Sequence, residues 1–187
     1  IINHDKSEHK EKIAAENNQE TFGNLSSLLK CFEVAKKDQS DLIYFVEDDY
    51  LHYEHSLVDM LNTYERVSSQ HKDEIIVCPS DYPFNYMNNE KTNILIGSQQ
   101  HWRTITKMLC TFMISKKTFQ KHIENFDKTC EKRHEPFEKY LNKILESEIG
   151  ISPIKSLAIH MTNVNSSYGL SPFIDLKKLW EENKIGQ

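Results

Sequence analysis

The segment Leu42-Ile43-Tyr44-Phe45-Val46 is continuously apolar and stops at three adjacent acids, Glu47-Asp48-Asp49. Five such residues are too few for a buried helix and suit a strand covered on both faces. A strand of that kind needs helices packed above and below it. The rest of the chain supplies them. Leu25, Leu28, Leu29, Phe32 and Ala35 fall on one helical face, with Asn24 placed to cap it. Leu57, Met60, Leu61, Tyr64 and Val67 make a second such face. Residues 74–78 read as another buried strand, closed by Pro79, and residues 94–96 as a short one ending at Gly97.

The same alternation continues to the end. Residues 108–114 read as a strand, after which Ser115 caps a helix carrying Phe119, Ile123 and Phe126. Pro136 opens a further helix with Phe137, Tyr140, Leu141, Ile144 and Leu145 on its apolar face, and Gly150 ends it. Residues 154–159 form the last strand, followed by an Asn/Ser-rich loop and a short helix at 176–180. Residues 1–3 read as the end of a strand. This pattern predicts an α/β fold in one domain, residues 1–187, with a mostly parallel central sheet flanked by helices.

Composition narrows the function. The formal charge of −5 gives no general attraction to nucleic acid. No apolar run is long enough to cross a bilayer, and no signal-peptide pattern is present. Cys31, Cys78 and Cys110 sit among apolar residues and read as buried free thiols. No C-x-x-C pair points to a zinc knuckle. These features set the expectation of a cytoplasmic chain, or one resting on the inner face of a membrane.

In open α/β sheets ligands gather beyond the carboxyl ends of the strands. Glu47-Asp48-Asp49 stand at such an end. Adjacent carboxylates repel one another unless a cation or hydrogen bonds offset the charge. Magnesium or manganese, with oxygen ligands, does so and can bridge to a substrate phosphate. On spacing alone the triplet serves equally well as a solvated acidic turn, with Asp49 or a neighbour capping the next helix.

The block from Gly23 to Leu61 adds context: Gly23-Asn24, a helix, the 42–46 strand, then Glu47-Asp48-Asp49. It resembles the central motif of GT-A glycosyltransferases, whose acidic "DXD" motif follows a hydrophobic strand. The Glu-Asp-Asp form is similar to the N-acetylglucosaminyltransferase I type. The resemblance implies that Asp49 ligates the metal directly, with Glu47 and Asp48 facing the nucleotide ribose and the sugar. It also implies a carboxylate base at a helix start, a position that Glu135 matches in His134-Glu135-Pro136. Simple charge complementarity to the helix explains Glu135 equally, and Asp127 and Glu131 are nearby rivals. His160, after the last strand, matches a histidine that completes the metal site or contacts the diphosphate in many of these enzymes.

Three further expectations follow from the resemblance. His101-Trp102-Arg103 falls where acceptor and donor-sugar pockets are built, so Trp102 would stack on a sugar and Arg103 approach a phosphate. Asp81, leaving a strand end, either touches the acceptor or makes a turn. The family's first strand and helix have no counterpart here. Residues 1–3 match its second strand, which makes Asp5 a candidate for reading the base. The expected reaction is inverting transfer from a nucleoside-diphosphate sugar, a UDP-sugar first, to a hydroxyl of a glycan acceptor. Magnesium or manganese is the expected cofactor, with residues 163–169 closing over the donor. Two other classes stay open: another metal-dependent phosphate enzyme such as a nucleotidyltransferase, and a non-catalytic module that binds carbohydrate or a protein partner.

Overall fold

The computed structural model describes residues 4–13, 18–87, 89–165 and 170–184. The expected strand at residues 1–3 lies outside them. Six helices and eight strands are defined among the described residues. They are α1 (Gln19–Lys37), β1 (Leu42–Phe45), β2 (Tyr50–His52), α2 (Ser56–His71), β3 (Ile75–Val77), β4 (Ile94–Ile96) and β5 (His101–Ile105). There follow β6 (Phe112–Ser115), α3 (Lys116–Lys121), α4 (Ile123–Cys130), α5 (Lys139–Ile144), β7 (Ile149–Pro153), β8 (Ala158–His160) and α6 (Leu176–Glu182).

Six strands form one sheet in the order β1-β6-β3-β7-β5-β4, and β2 and β8 form a separate two-stranded ribbon. The α/β class is as expected, but the sheet is mixed rather than mostly parallel. Only β3 and β7 pair in parallel; β6 runs antiparallel between β1 and β3, and β5 between β7 and β4. Hydrophobic patterning reports burial and carries no strand direction. The short β4–β5 turn, closed by Gly97 N–H donating to the Gln100 carbonyl at 2.9 Å, forces an antiparallel pair.

Alternate residues of the central strands point into two cores. Ile76, Phe112 and Ile114 face α1, α4 and α5, where they meet Leu29, Phe32, Phe126, Leu141 and Ile144. Ile75, Val77, Met113, Ile151 and Trp102 face α2, where they meet Met60 and Val67. Phe32 anchors the first core, with ring centroids 5.2 Å from Phe45 and 5.0 Å from Phe126. Burying one such ring contributes about 1.5–3 kcal/mol.

Several boundaries differ from the sequence expectation. Asn18 rather than Asn24 caps α1, accepting from the N–H groups of Glu20 and Thr21. Gly23 is taken inside the helix, close against the Lys6 side chain, and does not start a new one. Ser115 caps α3 as expected, its Oγ accepting from Thr118 N–H at 3.1 Å. Pro136 sits in a turn that precedes α5, and its carbonyl accepts from Lys139 N–H at 3.1 Å. Gly150 lies within β7 instead of ending a helix. The strand expected at 154–159 shortens to β8 and joins the ribbon. Cys78, Cys110 and Cys130 are buried free thiols, whereas Cys31 is exposed.

Candidate metal centre

The acidic triplet is shaped by the end of β1. After Phe45 the chain leaves the sheet, and Glu47 N–H donates to Thr111 Oγ1 at 2.9 Å. Asp48 and Asp49 make a tight turn, and the chain returns as β2. That strand pairs antiparallel with β8, with Tyr50 opposite His160. The register therefore brings residue 160 against residue 49 across more than a hundred residues of sequence. Met161 N–H donates to the Asp49 carbonyl at 2.8 Å and closes the junction.

Glu47, Asp49 and His160 each offer a ligand atom, and these atoms lie within 4.8 Å of one another. His160 Nε2 is 2.8 Å from Asp49 Oδ2. Thr162 Oγ1 donates to the same carboxylate oxygen at 3.2 Å. Tyr50 stacks on the imidazole, with centroids 4.8 Å apart and planes at 12°. Its hydroxyl meets that of Tyr82 at 2.8 Å in the protein interior.

Burial pushes the Glu47 carboxyl up to about 7, and the charges of Asp49, Glu138 and Asp48 add to the rise. A hydrogen bond to Thr111 opposes it. Burial also raises Glu138, while a hydrogen bond from its own backbone N–H and then the charge of His160 pull it back. Two carboxylates and an imidazole at this separation form a mixed oxygen–nitrogen donor set suited to manganese, and also to magnesium through its oxygens. Three protein ligands leave positions for water or phosphate oxygens.

The other expected site residues are placed as follows. Asp48 is exposed on the turn, outside the three-ligand group. Glu135 does not open α5; its side chain is 85% exposed and lies 3.5 Å from Arg133 Nε. Glu138, half-buried at the start of α5, is the carboxylate on this helix that couples to Glu47 and His160. Glu138 is not singled out in the sequence, where its one signal is a second acid three residues beyond Glu135. Trp102 is wholly buried among the α2-side core residues, so its indole offers no face for a sugar. Arg103 is buried too, and its guanidinium is committed to Asp81 rather than open to a phosphate. Asp5 caps the 3-10 turn Lys6–His9, accepting from Ser7 N–H at 2.9 Å. Part of the expected closing segment, residues 166–169, lies outside the described residues; residues Met161–Asn165 form a 3-10 turn.

Asp81 connects this centre to the next element. It lines a small depression together with His160, Asn163 and Ser171. Burial raises its carboxyl, and Ser171, Tyr86 and Arg103 pull it back down. No described helix is long and apolar enough to cross a membrane. No protein-family description, curated protein or solved structure matches the chain.

Proposed function

We propose that the chain is a metal-dependent glycosyltransferase of GT-A type, taking a sugar from a nucleoside diphosphate to an acceptor hydroxyl. The observation that carries this reading is the convergence of Glu47, Asp49 and His160 just beyond β1, which is a half-buried edge strand rather than the strand covered on both faces that its apolar run suggested. The order of parts agrees with the resemblance drawn from the sequence: strand, acidic triplet, helix-start carboxylate, closing histidine.

Asp49, His160 and Glu47 would hold a divalent cation, which supplies charge neutralisation for a departing diphosphate. Glu47 takes part in this set rather than serving only the sugar. Glu138 replaces Glu135 as the base, because it is half-buried and feels the charges of Glu47 and His160, while the Glu135 side chain is 85% exposed. The acceptor hydroxyl proton passes to the Glu138 carboxylate as the oxygen bonds to the anomeric carbon. The anomeric C–O bond to the diphosphate breaks, and the diphosphate leaves with that electron pair.

Calorimetric titration with Mn2+, followed by UDP release from UDP-glucose and UDP-N-acetylglucosamine, tests the reading. Wild-type protein should bind Mn2+ and release UDP. Asp49→Ala should lose both by about a hundredfold or more. Equal binding and turnover in that variant would refute the assignment.

A further inference from the structure

β1 leaves one edge of the main sheet open. It pairs with β6 alone, and no described strand lies on its other side. Lys116 N–H donates to the Asp41 carbonyl at 2.8 Å, which sets the phase of the β1–β6 ladder. Asp41, Ile43 and Phe45 therefore turn their backbone groups toward β6, and Leu42 and Tyr44 turn theirs to the open edge. Unpaired edge groups of this kind are a template for another strand.

A groove runs along that edge. Each residue from Leu42 to Glu47 lines it, although successive side chains of a strand point to opposite faces. A space beside the strand, rather than over one face, meets all of them. α1 makes the opposite wall with Leu28, Cys31 and Val34. The free volume is about 600 Å³, and Val34 and Val46 are exposed in it. A small apolar molecule would cover the Leu42 and Tyr44 backbone groups without pairing them. An extended peptide pairs them and also brings side chains to the apolar wall.

Charge narrows the choice further. At one end of the groove Lys36, Lys37 and Lys116 stand beside Asp38 and Asp41. The other end opens onto Glu47 and Asp48, and there Asp49 has His160 as its partner; no lysine or arginine pairs with these acids among the described residues. A second copy paired edge to edge about Tyr44 would set Asp41 of each chain opposite Glu47 of the other. Like charges directly opposite are destabilising, so a basic segment fits this edge better than a second β1.

We propose that the open edge of β1 binds an extended peptide as an added strand, with apolar residues in the groove against α1 and a lysine- or arginine-rich end over Glu47 and Asp48. This surface does not depend on the metal-centre reading, and its test leaves Mn2+ out.

The experiment is residue-resolved amide hydrogen exchange by NMR on the full chain, with the capped peptide Lys-Lys-Val-Thr-Val-Thr-Val-Lys-Lys and its analogue carrying Glu for every Lys. In the free protein the Leu42 and Tyr44 amides should exchange at least tenfold faster than those of Ile43 and Phe45. The basic peptide should slow the Leu42 and Tyr44 amides at least tenfold, and the acidic analogue should bind at least tenfold more weakly. Cys31→Trp should fill the groove from α1 and weaken the basic peptide about tenfold, while Ile43 and Phe45 keep their protection. Leu42 and Tyr44 amides that do not respond to millimolar basic peptide overturn the proposal. So does equal binding of the two peptides. Protection of those amides in the free protein that grows with its concentration marks a second copy on the edge and overturns it as well.

Discussion

Tyr50 lies flat against His160, with ring centroids 4.8 Å apart and planes at 12°, while the same imidazole reaches Asp49 Oδ2 at 2.8 Å. The stack and the β2–β8 register hold the ring so that Nε2 faces the carboxylates. The Tyr50 hydroxyl is in turn held by Tyr82 at 2.8 Å. A ligand oriented in advance loses less freedom when a cation arrives, and residues that orient metal ligands typically change affinity ten- to a hundredfold. Tyr50→Leu, which removes the stack, should weaken Mn2+ binding by about tenfold. Tyr50→Phe keeps the ring and should bind close to wild type. Calorimetric titration of the two variants decides this. Equal affinity in Tyr50→Leu and wild type would show that the register alone orients His160.

Glu47 should make the metal-free protein lose stability as pH rises from acid toward neutrality. Its carboxyl is raised from an ordinary 4.5 to about 7, chiefly by burial. A raised acid favours the fold when protonated, so its contribution is complete below about 4.5 and lost as pH rises through about 7. The loss amounts to about 3 kcal/mol at most. Glu47→Gln should therefore be more stable than wild type at pH 8 without metal, with the gap closing toward pH 5. Saturating Mn2+ should restore the wild type at pH 8, because a bound cation favours the ionised form. Urea titrations at both pH values, with and without Mn2+, give the comparison. A gap that stays constant with pH would rule out Glu47 as the titrating group.

Much of this architecture was legible in the sequence because burial leaves a periodic trace. The apolar run gave β1, Met60 and Val67 gave the α2 face, and Ser115 gave the cap, although β1 proves a half-buried edge strand and Val46 and Leu57 are exposed. Strand direction leaves no such trace, which is why the mixed sheet was not foreseen. β5 escaped notice because its polar members, His101, Arg103 and Thr104, interrupt the apolar pattern; Arg103 enters the interior only by pairing with Asp81. Asp49 and His160 were recognisable as candidate metal ligands, but their contact depends on the β2–β8 pairing. Glu138 was hidden because Pro136 falsely marked the helix start, which moved attention three residues too early.

The Arg103–Asp81 pair should be expensive to break from one side. Both side chains are buried, and Asp81 also accepts from Tyr86 at 2.7 Å and Ser171 at 2.6 Å. Removing the cation leaves a carboxylate inside the protein without its counter-charge, which typically costs about 3–5 kcal/mol. Arg103→Met should lose stability on that scale at pH 8 and progressively less as the pH falls, because burial already raises the Asp81 carboxyl and protonation removes the uncompensated charge. Adding Asp81→Asn to that variant should recover part of the loss, since no charge remains buried. Denaturant unfolding of the single and double variants measures this. A double variant less stable than Arg103→Met at pH 8 would mean the carboxylate is well solvated without its arginine.

Ser26 ties the first turn to α1. Its Oγ lies 2.9 Å from His4 Nε2 and 2.8 Å from His9 Nδ1, and His9 Nε2 reaches Glu33 at 3.2 Å. Ser26 and His9 are both buried, so water cannot replace the lost partner. Ser26→Ala should cost about 1–2 kcal/mol, since it strands the His9 nitrogen. The effect should be local. The Lys12 and Ile13 amides, which donate to the His9 carbonyl at 3.1 and 3.0 Å, should exchange with solvent at least tenfold faster. The β3 amides should slow or hasten only with global stability. Uniform acceleration at both places would show that Ser26 supports the whole core instead of pinning this turn.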